Sequence, residues 1–357
     1  MTKLRVGVIG AGSWALASHL PNLARRADEV EFVAVSRLGR PLLERIRARY
    51  GFAVASEDYR DVLDAGIDIC VVASPSGLHY EHTLAAMEAG AHVLVEKPLT
   101  IDPRQAWDLV AAAERLERHV VVAFGWNYKP MVRQAKWLME ADGGIGAIEQ
   151  VMISMSSQTR ELLSNTGAYP GAAPESLPEA TTWTDPAISG GGYGQAQLSH
   201  ALALALWLTG LRGKEAFAFM SAPLRAPVEL HDAVVLRYDN GAIGTLAGGS
   251  AHMGAGGNKH HLEVRAIGSR GQLVTDVDRE AVWVYRGAHD DLKLALDSGA
   301  GSYDCVGPID TLVDLALGRP ARNCSPVELG ARTVEILDAA YRSARSGVVE
   351  PVHGPGA

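Results

Sequence analysis

Short, almost unbroken runs of apolar residues punctuate the first 125 positions, at Leu4–Ile9, Glu31–Val35, Ile69–Ala73, His92–Val95 and Val120–Ala123. Helical stretches are expected between them near residues 13–25, 40–50, 77–89 and 103–117. Strands apolar on both faces that alternate with helices predict a parallel sheet covered on both sides. Asp102-Pro103 marks one helix start, with the acid as N-cap and proline at the first helical position. From about residue 145 the texture changes. Ile148–Ser154, Ala233–Tyr238, Ala242–Ala247, Leu262–Ile267, Gln272–Thr275 and Ala281–Tyr285 follow one another with turn signals, notably Asp239-Asn240-Gly241, and predict an antiparallel sheet. Between the first of these strands lies a Gly/Pro/Thr/Ser-rich segment, Thr159–Gly194, too long for a plain connection and therefore expected to be a substrate-side loop. The last helix, Val327–Ser346, carries Ser325-Pro326 before it and Gly347 after it.

The first strand ends abruptly in Gly10-Ala11-Gly12, and a helix-like stretch from Ser13 to Ala24 follows at once. In such a strand–turn–helix, Gly10 allows the sharp bend, Gly12 lets backbone approach a pyrophosphate, and Ala15 holds the third small position needed for close helix–strand packing. The free N–H groups of the helix start then face phosphate oxygens. Gly10, Gly12, Ser13 and Trp14 are accordingly expected to bind a dinucleotide, within a Rossmann-type domain.

The second strand ends where an NAD-binding domain usually places an acid for the ribose 2′-hydroxyl. Here the chain reads Ser36-Arg37, with Arg40 nearby, and no carboxylate stands at that point. A guanidinium binds phosphate bidentately, so Ser36 and Arg37 point to NADP, with NAD as the other possibility. The competing reading of Arg37 is a solvated loop cation.

Composition narrows the setting. With 47% hydrophobic residues and a formal charge of −8, the chain of 357 residues fits two cores and lacks an overall basic footprint for nucleic acid. Its three cysteines, Cys70, Cys305 and Cys324, show no metal-ligand spacing, and a reduced, cytoplasmic setting is expected. The chain enters a core strand within a few residues, leaving no room for a signal peptide. The longest apolar stretch, Leu198–Leu211, contains Ser199 and His200 and is closed by Gly210; it is too short for a bilayer and reads as a buried helix. His260-His261 beside Asn258 has no third ligand at sensible spacing, so it reads as strand surface and no metal is expected.

Two strand ends carry candidate chemistry. Glu96-Lys97-Pro98 follows His92–Val95, at the carboxyl edge of the sheet where ligands of doubly wound folds bind. There an ammonium can hydrogen-bond the substrate oxygen whose charge changes during hydride transfer, or it can simply cap the strand end beside Glu96. Ser74-Pro75-Ser76-Gly77-Leu78-His79 follows the preceding strand. Gly77 and the proline let backbone run close to a ligand, and His79 serves either to line the cofactor pocket or to cap the helix. Ser74, Pro75, Ser76, His79, Glu96 and Lys97 join the expected cofactor set.

Together, Gly10-Ala11-Gly12, Pro75 to His79, Glu96-Lys97-Pro98 and the segment from Gly190-Gly191-Gly192 to His200 resemble the Gfo/Idh/MocA family of sugar and cyclitol oxidoreductases. The resemblance implies an α/β fold: an N-terminal Rossmann domain, 1–125, and a C-terminal α/β domain, 126–357, built on a large, mainly antiparallel open sheet that mediates oligomers. A homodimer or homotetramer is expected. It also implies that Lys97 is a catalytic, substrate-orienting residue and that His200 is the acid/base on the reacting hydroxyl.

Four residues before that histidine, one helical turn away, the family usually has an aspartate; this chain has Ala196. Gln195 and Gln197 flank the position and can hydrogen-bond a hydroxyl without accepting its proton, which leaves acid/base work to His200 with Lys97 tuning it. Gly125-Trp126-Asn127-Tyr128-Lys129-Pro130 resembles the family's entry into the substrate domain, so Trp126, Asn127, Tyr128, Gln197, Lys97 and His200 are the expected substrate contacts. An aromatic there either stacks on a sugar ring or packs between domains. The resulting expectation is an NADP-preferring dehydrogenase or reductase acting on a secondary hydroxyl or keto group of a sugar, sugar derivative or cyclitol. The alternatives are a redox-neutral epimerase or glycoside-cleaving enzyme with retained cofactor, and a non-catalytic dinucleotide sensor.

Overall fold

The computed structural model describes residues 2–168, 177, 179–252, 260–287 and 291–356, so part of the expected loop Thr159–Gly194, and Asn258, lie outside the described residues. The chain forms two compact units. One comprises Met1–Gly125, Gly171–Thr182 and Asp304–Ala331, the other Trp126–Pro170, Trp183–Tyr303 and Arg332–Ala357.

In the first unit six strands make a parallel sheet: β1 (Leu4–Ile9), β2 (Val30–Ser36), β3 (Val54–Ser56), β4 (Ile69–Val72), β5 (His92–Val95) and β6 (Val120–Val122), in the order β3-β2-β1-β4-β5-β6. β1, β4 and β5 are apolar and buried at nearly every position, as strands covered on both faces must be. The order reverses between β1 and β4, so the residues just beyond these two strands lie at the topological switch point where such sheets bind ligands. The Asp102 side chain accepts the Arg104 N–H and caps the helix Pro103–Arg115, as its sequence context predicts. β3 and the helix Arg60–Asp64 were not expected; a three-residue strand of half-buried side chains leaves no periodic signal.

The expected continuous second domain, 126–357, is interrupted. Asp304–Ala331 belongs to the first unit because its main chain runs along the edge of β6. Ser325 O accepts the Val122 N–H at 2.9 Å, Ser325 Oγ donates to Val122 O at 2.5 Å, and Asn323 Nδ2 donates to Val120 O at 2.9 Å. The helix Val306–Ala316 then packs against β4, β5 and β6.

The second unit holds a nine-stranded sheet: β7 (Ile148–Ser157), β8 (Gly213–Ser221), β9 (His231–Tyr238), β10 (Ile243–Ser250), β11 (His261–Gly268), β12 (Gly271–Asp276), β13 (Ala281–Tyr285), β14 (Leu292–Lys293) and β15 (Glu350–Pro351). Their order is β14-β13-β12-β11-β7-β10-β9-β8-β15. Among the described residues of this sheet only β7 and β10 pair in parallel. On β9, Asp232, Val234, Leu236 and Tyr238 are buried while Val235 on the opposite face is 55% exposed, the alternation of a sheet covered on one side. The helix Ser199–Thr209 is buried almost all round against β7, β11 and the helix Pro130–Glu140, which explains its uninterrupted apolar sequence. Among the described residues no helix is long and apolar enough to cross a membrane.

Candidate functional site

Gly10 sits at φ +82°, and a Cβ there would strike the Ser74 backbone, so only glycine lets the first turn close against the end of β4. The Gly10 and Ala11 N–H groups both donate to Ser36 O, at 2.9 and 3.0 Å, fastening the turn to the end of β2. Gly12 is different. A Cβ there would meet only Gly10 O, at 3.8 Å, so protein packing places no demand on this glycine and the space beside it is open to a ligand. Gly12 and Ser13 are half-buried and Trp14 is 37% exposed beside them.

The helix that follows opens with a π turn, Ala15–His19, in which the Leu20 N–H reaches Ala15 O five residues back. This wider turn replaces the plain helix expected from residue 13, and such insertions recur at functional sites.

At the end of β2, Ser36 is buried and Arg37 is partly so. Arg37 Nε donates to Leu38 O at 2.9 Å, while its Nη1 is buried with no hydrogen-bond partner among the described residues. Burial and the neighbouring Arg45 both push the Arg37 guanidinium toward giving up its proton. One carboxylate does reach this loop, from beyond β3: Glu57 Oε1 accepts the Gly39 N–H at 2.7 Å. Sequence inspection of the β2 end could not find it, because Glu57 arrives by strand pairing.

Ser74, Pro75 and Ser76 are half-buried at the end of β4. His79, read from sequence as a pocket or capping residue, is buried with Nδ1 2.7 Å from Pro98 O and Nε2 2.8 Å from Ser74 O. Both nitrogens thus face main-chain carbonyls, and the ring ties the ends of β4 and β5 together, leaving no nitrogen for a ligand.

Glu96 and Lys97 follow β5. Glu96 Oε1 accepts from Nε2 of fully buried His19 at 2.7 Å, and Oε2 accepts the Lys97 N–H at 3.1 Å. Burial pushes the Glu96 carboxyl up, but the bond and charge of His19 together with the charge of Lys97 outweigh it and hold the carboxyl below its usual range. Burial lowers the Lys97 ammonium, opposed by Glu96 and by buried Cys305. His19, Glu96 and Cys305 place one ligand-type atom each within 4.8 Å of one another. Sequence spacing gave no hint of this grouping. His19 and Glu96 are already hydrogen-bonded to each other and the Lys97 ammonium lies in their field, so a cation would enter against repulsion.

In the second unit, His200 stands in the first turn of Ser199–Thr209, 5% exposed, against two aromatic rings met edge to face: Trp126, with centroids 5.1 Å apart at 83°, and Tyr303, 5.2 Å apart at 77°. Trp126 and Tyr303 lie 4.4 Å from each other, and Trp126 Nε1 donates to Gly301 O at 3.0 Å. Trp126, Asn127 and half-buried Tyr128 occupy a single 3-10 turn, Gly125–Tyr128. Tyr303 carried no sequence signal. His260, read as strand surface, is half-buried beside Trp126, and burial lowers its imidazole to about 4. Its partner His261 points to Ser154, with Nε2 and Oγ 2.9 Å apart.

The segment before His200 is also a π turn, Gly194–Leu198, with the Ser199 N–H donating to Gly194 O. Ala196 and Gln195 are buried and Gln197 is half-buried. Gln195 Oε1 has no hydrogen-bond partner among the described residues. The wider turn advances each residue by a smaller angle than an α-helix and so brings Gln195, five residues back, toward the face of His200.

Two family models match the chain: an oxidoreductase family with NAD-binding Rossmann fold over residues 4–124, and the GFO/IDH/MocA C-terminal domain over residues 132–274. An uncharacterized oxidoreductase of Bacillus subtilis is 31% identical over 64% of this chain and 56% of its own length. D-glucoside 3-dehydrogenase of Escherichia coli is 39% identical over 36% of each chain. Levoglucosan dehydrogenase of Pseudarthrobacter phenanthrenivorans is 26% identical over 78% of this chain and 75% of its own. The chain thus matches only about a third to a half of the length of the first two relatives. Among solved structures, levoglucosan dehydrogenase in complex with NADH and levoglucosan superposes with a TM-score of 0.79 at 22% identity, covering 98% of this chain and 100% of that one, a likeness of fold.

Proposed function

The chain belongs to the GFO/IDH/MocA oxidoreductase family, and we propose that it transfers a hydride between a nicotinamide dinucleotide, NADP in preference to NAD, and a secondary alcohol or ketone of a sugar, sugar derivative or cyclitol. The observation that carries this reading is the pairing of an open glycine, Gly12, with a strand-end ammonium, Lys97, at the carboxyl edge of one parallel sheet. The first fits a dinucleotide pyrophosphate and the second a reacting oxygen. Relatives named as dehydrogenases of inositols, glucosides and levoglucosan support the substrate class.

When bound, the dinucleotide supplies the hydride donor or acceptor. Gly12 and Ser13 meet its phosphates. The buried Nη1 of Arg37, without a hydrogen-bond partner among the described residues, supports a 2′-phosphate contact beside its chain neighbour Ser36. A relative named as an NADP-dependent scyllo-inositol dehydrogenase supports that preference, while neighbours solved with NADH keep NAD as the competing cofactor. Lys97 donates to the oxygen that gains negative charge, and His200, steadied by Trp126 and Tyr303, exchanges the hydroxyl proton. Asn127, Tyr128 and Gln197 orient hydroxyls. Exposed Phe219, Val235 and Ile243, at 71%, 55% and 52%, support assembly of copies through the open sheet face into a homodimer or homotetramer. Three buried free cysteines accord with a cytoplasmic, reducing setting.

The test is a panel of inositols, levoglucosan, alkyl glucosides and keto-sugars with NADP(H) and NAD(H), followed by nicotinamide absorbance. Turnover of a polyol or its ketone is expected. Dinucleotide binding without turnover of any member would favour the sensor reading instead.

A further inference from the structure

Four consecutive main-chain N–H groups open the helix that carries His200, and all four are taken up by two residues. Glu229, in the loop before β9, accepts from Gly192 N at 2.8 and 2.9 Å through its two oxygens and from Gly194 N at 3.1 Å through Oε1. Its carbonyl accepts from Tyr193 N at 3.0 Å. Tyr341, on the helix Val327–Ser346, donates its hydroxyl to Glu229 Oε1 at 2.5 Å and accepts from Gln195 N at 3.2 Å. A helix start leaves its first N–H groups without intrahelical partners. Here the carboxylate and main-chain carbonyl of Glu229 and the phenol of Tyr341, from two distant segments, supply the acceptors in place of a local cap.

The same contacts account for the glycines of this segment. A Cβ on Gly192 would strike Glu229, and one on Gly191 or Gly194 would strike the Tyr341 ring or hydroxyl. The run Gly190-Gly191-Gly192-Tyr193-Gly194 is therefore shaped to admit Glu229 and Tyr341. Asp232, buried on β9, has no hydrogen-bond partner on either oxygen among the described residues, and burial together with the charge of Glu229 raises it well above the usual carboxylate range. Burial raises the Glu229 carboxyl as well, opposed by its three donors, the Tyr341 hydroxyl and the Gly194 and Gly192 N–H groups.

We propose that Glu229 and Tyr341 are positioning residues for the reaction: they clamp the π turn Gly194–Leu198 and so set the place of His200 and Gln195. The inference rests on the reading of His200 as the acid/base. Glu229 touches no reacting atom in this account and acts through the helix start alone.

The test compares Glu229→Ala, Glu229→Gln and Tyr341→Phe in the full chain. Glutamine keeps an oxygen where Oε1 stands, which holds most of the contacts, so it should rescue what alanine loses. Hydrogen exchange read by mass spectrometry should show the amides of residues 192–198 exchanging at least tenfold faster in Glu229→Ala and Tyr341→Phe, with near-normal protection in Glu229→Gln. With the best substrate of the panel above, kcat should fall at least tenfold in Glu229→Ala at unchanged NADP(H) affinity. Placed in a His200→Asn background, the same substitution should cost nothing more, because the group it positions is gone. Unchanged exchange in both Glu229→Ala and Tyr341→Phe would overturn the clamp. A loss of kcat that persists undiminished on top of His200→Asn would overturn its action through His200. Faster exchange with His200→Asn fully active would retain the clamp and remove the catalytic reading of His200 on which the proposal rests.

Discussion

Fully buried His19 holds its Nε2 2.7 Å from Oε1 of Glu96, and the other Glu96 oxygen accepts the main-chain N–H of Lys97. Removing one partner of a buried pair leaves the other stranded, at a cost of about 3 kcal/mol. His19→Ala should therefore destabilise the protein by roughly that amount at neutral pH, measured by urea unfolding. The pH dependence carries a sign. Because the Glu96 carboxyl is held below its usual range, its contribution is present above the unfolded value of about 4.3 and is lost as pH falls through the lower folded value. In His19→Ala burial dominates and raises the Glu96 carboxyl, so the cost of the substitution should be largest at neutral pH and shrink as acid protonates Glu96. Identical acid limbs for both proteins would dismiss the pairing.

The two glycines of the first turn should part company. Gly10→Ala meets both a left-handed backbone and the Ser74 main chain, and a loss of about 2 kcal/mol or outright insolubility is expected. Gly12→Ala has room, so its melting temperature should stay near that of the parent while dinucleotide affinity falls at least tenfold, or about 1.4 kcal/mol. Calorimetric titration beside thermal unfolding reads both. An unstable Gly12→Ala would mean that the glycine serves packing after all.

Arg37 sets the cofactor prediction. NADP(H) should bind at least tenfold more tightly than NAD(H), a difference of about 1.4 kcal/mol, and Arg37→Ala should erase the difference by weakening NADP(H) alone. Tighter NAD binding in the parent would assign the Arg37–Arg45 cluster to the surface, and Glu57 would become the residue to examine at the ribose.

Lys97→Ala should leave folding and cofactor affinity intact while lowering turnover at least a hundredfold, about 2.7 kcal/mol of transition-state stabilisation. Burial depresses the Lys97 ammonium more than Glu96 and Cys305 restore it, so activity that needs the charged form should decline on the alkaline side before the unperturbed lysine value of about 10.4. The pH profile of kcat should lose this alkaline limb in the variant's residual activity. Parental turnover in Lys97→Ala would make the residue a strand-end cap.

His200→Asn should lower turnover at least a hundredfold to a small residual rate, and Ala196→Asp, in the π turn that leads into the His200 helix, should change which hydroxyl pattern the panel reveals. Full activity of His200→Asn would move the acid/base role to Tyr128, Lys97 or Tyr303.

The parallel sheet was readable from residues alone, because strands buried on both faces are local apolar runs and glycine turns are local constraints on φ. The same holds for the Asp102 cap and for the last helix, Val327–Ser346, whose limits agree with those read from its flanking Ser325-Pro326 and Gly347. Tertiary structure alone decided the rest. Cys305 meets His19 and Glu96 only because residues 304–331 return to β6, and no periodicity encodes that return. His79, legible as a strand-end histidine, has both nitrogens spent on carbonyls that strand pairing brings to it. Tyr303 against His200, and Glu229 with Tyr341 at the helix start, join segments far apart in the chain. The π turn that ends at His19 and the one that precedes His200 depend on backbone register, which residue types do not declare. Sequence pattern determines which face of an element is apolar, because that is set by neighbours three or four residues away. Which polar side chains then meet is set by the topology that folds those faces together.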